Sequence, residues 1–120
     1  PDGVDVIFEN VGGVILDAGL MNLNLKGRVG LCGLISEYNT APVGIRNLWQ
    51  LIVKRADIRG LLVADYVPRF GEGAAKMGEW VAAGKIVTDE HVDEGIENTF
   101  ASFMRLFSGG NQGKMILKIA

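Results

Sequence analysis

Three short apolar runs, separated by segments of helix length, constrain the fold of residues 4–63 more than any other feature. The runs are rich in strand-forming residues and cover Val4–Phe8, Arg28–Cys32 and Ile58–Val63. Between the first two runs, apolar residues recur near helical spacing: Val14, Ile15, Ala18, Met21 and Leu25. A strand, a crossover helix and a second strand form a parallel, right-handed unit in nearly all proteins. The β-α-β-α-β pattern therefore predicts an α/β fold built on half of a doubly wound parallel sheet.

The first two runs each end in glycine and small polar residues. Asn10-Val11-Gly12-Gly13 follows the first, and Cys32-Gly33-Leu34-Ile35-Ser36 begins where the second ends. The carboxyl ends of neighbouring parallel strands open onto one crevice, where α/β sheets bind their ligands. Glycine at these positions allows a ligand to approach the backbone closely. We therefore expect half of a dinucleotide site here, with the other half outside this chain.

The pattern changes after Ala64. A helix is predicted with one apolar face formed by Ala74, Met77, Trp80 and Val81, followed by a strand-like piece at residues 86–88. A second helix, with Asn98 as its expected cap, carries an aromatic stripe at spacings of i, i+3, i+4 and i+7, namely Phe100, Phe103, Met104 and Phe107. Residues 114–119 then read as a strand. This half of the chain is therefore expected to be an α+β segment.

Composition excludes several classes of function. The net charge is −2 and Lys54-Arg55 is the one adjacent basic pair, so a nucleic-acid partner is not expected. The apolar runs are too short to span a membrane. A single cysteine and a single histidine provide neither a disulfide nor a zinc site, so we predict no metal and a reducing, cytoplasmic location. The chain begins at Pro1 without an initiator methionine, and we expect it to be part of a longer protein.

Together with Gly110-Asn111-Gln112-Gly113-Lys114, the two strand-end motifs and Tyr38-Asn39 resemble one family. The chain is similar to the zinc-independent medium-chain dehydrogenase/reductases, in particular the branch of prostaglandin, alkenal double-bond and curcumin reductases. The resemblance runs from Pro1 to Ala120 and corresponds to the carboxyl-terminal portion of such an enzyme. It implies the second half of a Rossmann-type NADP-binding domain in residues 1–64. Residues 65–120 would then form a segment that returns to the substrate domain.

In that family the cofactor is NADPH, and the reaction is hydride transfer to the carbon–carbon double bond of an α,β-unsaturated ketone or aldehyde. The resemblance implies a catalytic role for Tyr38, whose hydroxyl would lie near the reacting carbonyl. It also implies a set of cofactor-binding residues: Asn10, Val11, Cys32, Gly33, Leu34, Ile35, Ser36, Tyr38, Leu61, Leu62, Val63 and Asn111. The turn and basic residue that would hold the cofactor phosphates lie upstream in the family. The choice of NADP over NAD is therefore implied by resemblance alone.

Each candidate also has a purely structural interpretation. Asn10 would then be a strand terminator or helix cap, and Tyr38 a half-exposed anchor in a polar loop. Cys32 has no basic neighbour in the sequence and is predicted to be a small buried residue without chemistry of its own. Tyr66, beside Asp65, is the competing catalytic tyrosine. His91 is predicted to be a solvated surface residue, and the aromatic stripe is predicted to be core.

Two other functions stay open at this point. The chain would be a non-catalytic dinucleotide- or small-ligand-binding module if the crevice half acts alone. Alternatively, it would belong to a quinone oxidoreductase of the same superfamily. We predict that the isolated 120-residue chain is inactive, because it lacks a residue for the phosphates. The open edge of the first strand and the Leu61-Leu62-Val63 strand, where subunits of the family join, favour a homodimer or swapped oligomer.

Overall fold

The computed structural model describes residues 2–119, so the outermost residues of the two predicted segments, Pro1 and Ala120, lie outside this range. The chain divides between Pro68 and Arg69 into two compact units. The first unit contains three strands and two helices: β1 (Val4–Glu9), α1 (Gly13–Asn22), β2 (Leu23–Leu31), α2 (Gln50–Lys54) and β3 (Asp57–Gly60). The second contains α3 (Phe70–Ala82), β4 (Glu90–Glu94), α4 (Thr99–Ser108) and β5 (Lys114–Lys118).

The first unit has the predicted β-α-β-α-β order. Its strands form a parallel sheet in the order β1-β2-β3, in which Ile7 pairs with Val29 and Val29 pairs with Ile58. Partner residues in parallel strands share a face, and this face packs against the helices. The core consists of Leu16 and Leu20 of α1 with Leu23 and Val29 of β2, joined by Leu51 of α2. Both crossover helices therefore cover the same face of the sheet.

The predicted apolar face of α1 is wrong. Val14 is 77% exposed, and Ile15, Ala18 and Met21 are also exposed, whereas Leu16 and Leu20 are fully buried. The apolar residues of this segment form two sets with helical spacing, the predicted set and the set that contains Leu16 and Leu20. Contact with the sheet buries the second of these. Leu25 is not in the helix, because the chain joins β2 at Leu23 to pair with Val4 of β1.

Other predicted boundaries also shift. β2 begins five residues earlier than expected, and the pairing is irregular between Val4 and Val6, close to the left-handed residue Lys26. β3 ends at Gly60 rather than at Val63. Residues 86–88 do not form a strand; the paired strand is β4, where His91 lies opposite Met115 of β5. Parallel pairing places the strand at a charged stretch that propensity alone does not favour.

Two further predictions, both about the second unit, are wrong. The aromatic stripe of α4 is 45–74% exposed and is not core within this structure. His91 is partly buried: its Nε2 lies 3.0 Å from Arg105 Nη1 and 3.6 Å from Asp93 Oδ1. Ser102, buried on α4, donates to Asp93 Oδ2 at 2.5 Å. A polar network therefore joins α4 to β4 where the sequence suggested a solvated histidine.

Of the two helix ends predicted for α4, the structure has one as expected and one not. Gly109 ends α4 in the left-handed conformation, as its position after the aromatic stripe predicts. Asn98 does not cap α4 with its side chain; its amide instead donates to the carbonyl oxygen of Glu94 at 2.8 Å. None of the helices described over residues 2–119 combines the length and apolar character needed to span a bilayer.

Candidate functional site

The loops that follow β1 and β2 lie side by side at the carboxyl edge of the sheet. The backbone N–H groups of Cys32, Ile35 and Ser36 donate to the carbonyl oxygens of Glu9, Asn10 and Val11 at 2.8, 3.0 and 3.0 Å. Ser36 Oγ adds a second bond to the Val11 carbonyl at 2.6 Å. The second loop therefore runs alongside the first and bonds to three successive carbonyl groups. The two motifs of the sequence together form one surface, which we call the strand-end surface.

Tyr38 also belongs to this surface, because its hydroxyl group lies beside Gly33. A methyl group built on Gly33 would lie 3.2 Å from the Asn10 carbonyl oxygen and 3.3 Å from the Tyr38 hydroxyl oxygen. The hydroxyl therefore reaches back across its own loop to the end of β1, although the Tyr38 side chain is 67% exposed. A short 3₁₀ helix at Ile35–Glu37 turns the chain and makes this return possible. The Asn10 backbone and the Tyr38 hydroxyl therefore lie on the same side of Gly33.

Glycine at position 12 is required by the turn between β1 and α1. Gly12 adopts φ 78° and ψ −160°, a conformation that is almost confined to glycine. A methyl group there would also come within 2.8 Å of Leu34 Cδ2. The close approach of Leu34 to this turn is a further contact between the two loops.

Glu9 is the residue of this site that sequence reasoning missed. It is only 3% exposed, and its Oε1 accepts hydrogen bonds from the backbone N–H groups of Val11 at 2.5 Å and Gly12 at 2.8 Å. The available signal was an acidic residue at the end of a strand, two and three positions before the N–H groups of a glycine turn, where a carboxylate can accept backbone hydrogen bonds.

The remaining predicted residues occupy different positions. Leu61 extends the β2–β3 pairing by donating its N–H to the Leu31 carbonyl at 2.8 Å, and its side chain covers Gly30. Leu62 and Val63 are exposed, and Val63 begins a 3₁₀ segment that runs to Arg69 and includes Tyr66. Cys32 is exposed, so its prediction as a buried residue is wrong. Its position at the end of β2 keeps it on the strand-end surface.

Asn111 lies in the second unit, before β5. Its side-chain amide donates to the Gly113 carbonyl oxygen at 2.9 Å, which shapes the turn that leads into the strand. Gly113 in this turn has φ 73° and packs against the Asp89 backbone, so the motif Asn111-Gln112-Gly113 has a local structural role. Over residues 2–119, no cluster of three or more His, Cys, Asp or Glu residues has a metal-binding arrangement.

The strands are parallel, both helices lie on one face, and two hydrogen-bonded loops of small residues lie at the carboxyl ends of the strands. This arrangement is typical of half of a dinucleotide-binding sheet. No protein-family model matches the chain. The chain is 42% identical over its whole length to the 2-alkenal reductase (NADP(+)-dependent) of Nicotiana tabacum and 39% identical to the NADPH-dependent curcumin reductase of Escherichia coli. It spans 35% and 37% of those two proteins, about a third of each.

A solved structure agrees with this likeness. CurA from Vibrio vulnificus in complex with NADPH superposes with a TM-score of 0.82 at 41% sequence identity, over 98% of this chain and 37% of that one. The expected resemblance to the alkenal and curcumin reductase branch is therefore confirmed, as is the α/β fold class.

Proposed function

We propose that this chain is the carboxyl-terminal part of an NADPH-dependent reductase that acts on the carbon–carbon double bond of α,β-unsaturated ketones or aldehydes. Two of the relatives that match the whole chain are an NADP-dependent alkenal reductase and an NADPH-dependent curcumin reductase. The observation that carries the proposal is the strand-end surface, where the Tyr38 hydroxyl and the backbone of Asn10 both lie against Gly33. A polar surface with small residues at the carboxyl edge of a parallel sheet is where such enzymes bind a dinucleotide.

The residues present fit a nicotinamide cofactor. Asn10 is exposed at the end of β1, and its side-chain amide can both donate to and accept from a carboxamide. Gly33 leaves room for the Asn10 carbonyl oxygen and the Tyr38 hydroxyl to lie against the second loop. We assign cofactor binding to the residues that the resemblance implies in this unit, Asn10, Val11, Cys32–Ser36, Tyr38 and Leu61–Val63. Asn111 is assigned to the same role from the segment that returns to the substrate domain.

When bound, NADPH supplies a hydride to the β-carbon of the substrate. Negative charge then develops on the carbonyl oxygen of the conjugated system, and a hydrogen-bond donor held in place for that oxygen lowers the barrier. Tyr38 is the proposed donor, since a phenol hydroxyl donates without being ionised at neutral pH. The exposed Tyr38 side chain on the strand-end surface is accessible to a substrate. The protein's contribution is orientation and electrostatic stabilisation.

The domain assignment forms part of the proposal. Residues 1–64 would complete the cofactor domain, and residues 65–120 would return to the substrate domain, with the whole enzyme acting in the cytoplasm. Because the chain spans about a third of its relatives, the phosphate-binding residues would come from the rest of the protein. The isolated chain is accordingly expected to be inactive.

The full-length protein tests the proposal directly. It should consume NADPH in the presence of a panel of enals and enones, faster than it consumes NADH, and the product should be the saturated carbonyl compound. Tight NADPH binding without turnover of any panel member would support a binding module instead. Turnover of quinones with one-electron products, and none of enones, would support a quinone oxidoreductase.

A further inference from the structure

Glu9 is the last residue of β1; its buried carboxylate faces the turn that follows and makes no ion pair with any residue in the range 2–119. Removing a carboxylate from water is costly unless hydrogen bonds replace the lost hydration. Here one oxygen, Oε1, accepts both the Val11 and the Gly12 backbone N–H groups, at 2.5 and 2.8 Å. Hydrogen bonds to an ionised acceptor are stronger than those between neutral groups. These two bonds are therefore the main polar compensation for burying Glu9.

The two N–H groups belong to the peptide units whose carbonyl groups hold the second loop. The N–H of Val11 shares a peptide plane with the Asn10 carbonyl, which accepts from Ile35 N at 3.0 Å. The N–H of Gly12 shares a plane with the Val11 carbonyl, which accepts from Ser36 N at 3.0 Å and Ser36 Oγ at 2.6 Å. In a trans peptide the N–H and C=O bonds point in opposite directions. Glu9 therefore fixes one end of each plane while the second loop binds the other end.

We infer that Glu9 is a positioning residue for the strand-end site, an inference that rests on the proposed function. By fixing two consecutive peptide planes, it sets where the Asn10 side chain leaves the backbone and where the loop carrying Tyr38 is attached. It acts through these groups and does not itself contact the substrate. A carboxylate at this position thus affects the affinity for the nicotinamide cofactor as well as the stability of the fold.

A graded series of substitutions in the full-length protein tests this role. Glu9→Asp keeps a carboxylate, which in aspartate commonly bonds backbone N–H groups two residues on, so NADPH affinity should stay close to that of the wild type. Glu9→Gln keeps an oxygen but loses the charge, and should weaken NADPH binding by about three- to tenfold. Glu9→Met removes the acceptor and should weaken binding by more than about tenfold, with a lower kcat. Glu79→Met, a charge removal on the exposed face of α3, is the matched control and should change neither value.

Binding is measured by titration of NADPH at a temperature where circular dichroism shows each variant to be folded. A purely structural role would lower the melting temperature while leaving the affinity and kcat of the folded variants unchanged. Wild-type affinity in Glu9→Gln and in a folded Glu9→Met overturns the inference. If Glu9→Met does not fold, wild-type affinity in Glu9→Gln alone overturns it.

A separate readout distinguishes failure of this inference from failure of the proposed function. If the wild-type protein itself does not bind NADPH, the proposed function fails. Amide hydrogen exchange at Val11 and Gly12 then still tests the positioning role. Exchange at these amides should be slow in the wild type and in Glu9→Asp, and faster in Glu9→Gln. Equal exchange in all three proteins would contradict the role assigned to Glu9.

Discussion

Ser36 holds the Val11 carbonyl group through two hydrogen bonds, one from its hydroxyl at 2.6 Å and one from its backbone N–H at 3.0 Å. The two residues are 25 positions apart in sequence and belong to the loops after β1 and β2. Their contact fixes the register of those loops at the carboxyl edge of the sheet. The proposed cofactor surface depends on this register.

Ser36→Ala should weaken NADPH binding by the full-length protein. The substitution removes the hydroxyl bond to Val11 and leaves the backbone bond, so the loops are held less firmly in the geometry that binds the cofactor. The bond contributes about 1 kcal/mol, which sets an upper limit of about fivefold on the loss of affinity. The measurement is a fluorescence titration with NADPH. Ser108→Ala serves as control, because Ser108 Oγ donates to the Arg105 carbonyl oxygen at 3.3 Å on the exposed end of α4, far in sequence from the two loops. Equal affinities for the wild type and Ser36→Ala would contradict the expected coupling between the loops.

Tyr38→Phe should lower kcat for enone reduction by about a hundredfold, the usual cost of losing one hydrogen-bond donor to a developing oxyanion. The ring is retained, so KM for NADPH should change little. Tyr66→Phe is the informative comparison, since Tyr66 is the rival tyrosine and lies in the 3₁₀ segment after β3. Steady-state kinetics of both variants decide between them. A large loss of kcat in Tyr66→Phe, with normal turnover in Tyr38→Phe, would reverse the assignment.

Gly12→Ala should destabilise the protein. A side chain at φ 78° and ψ −160° costs about 1–3 kcal/mol in backbone strain, and the new methyl group would also clash with Leu34 Cδ2. Thermal unfolding should therefore begin at a lower temperature. Gly73→Ala in α3 is the opposite case, because nothing lies within 4 Å of the added methyl group. It should stabilise the helix by about 0.5–1 kcal/mol, and a destabilised Gly73→Ala would show that α3 is packed differently.

Leu20→Ala should cost about 2–5 kcal/mol of stability, since Leu20 is fully buried between α1 and the sheet. Val14→Ala, on the exposed side of the same helix, should stay within about 0.5 kcal/mol of the wild type. Denaturant unfolding of the two variants gives the comparison. A larger loss in Val14→Ala would mean that the opposite face of α1 is the buried one.

The isolated 120-residue chain should self-associate through its first strand. Over residues 2–119, β1 pairs only with β2, and Val6 and Phe8 are 59% and 69% exposed on the face that the helices do not cover. Exposed strand edges and apolar patches pair with other chains. Light scattering should show dimers or larger species, and Val6→Lys should shift them towards monomer. Val87→Lys, at a position that is more exposed (86%) but outside the sheet, should have no effect; a monomeric wild type at high concentration would disprove the expectation.

Much of the first unit follows from the sequence because its signals are local. Alternation of apolar runs with helix-length segments is sufficient to predict β1, α1, β2, α2 and β3, and the topology of parallel strands then brings the two strand-end motifs to one edge. The face of α1 is different. Its apolar residues fit two helical faces, and only contact with Val29 and its neighbours decides that Leu16 and Leu20 are buried.

The second unit depends more heavily on pairing. β4 occupies Glu90–Glu94, a charged stretch, because parallel hydrogen bonding to β5 compensates for poor strand propensity. His91 lies in a polar network because α4 places Arg105 beside its imidazole and bonds the neighbouring Asp93 through Ser102. Neither feature has a signal within its own stretch of sequence.

The sequence by itself determined the order of the elements, the glycine turns and the identity of the strand-end residues, since these depend on local conformational preference and on residue type. The tertiary structure alone decided that Glu9 is buried and bonded to two backbone N–H groups, and that Tyr38 returns to Gly33 and Asn10. Both relationships require two loops to be held at a common edge of the sheet. Distances across such an edge depend on strand register and loop closure, which no single segment of the chain encodes.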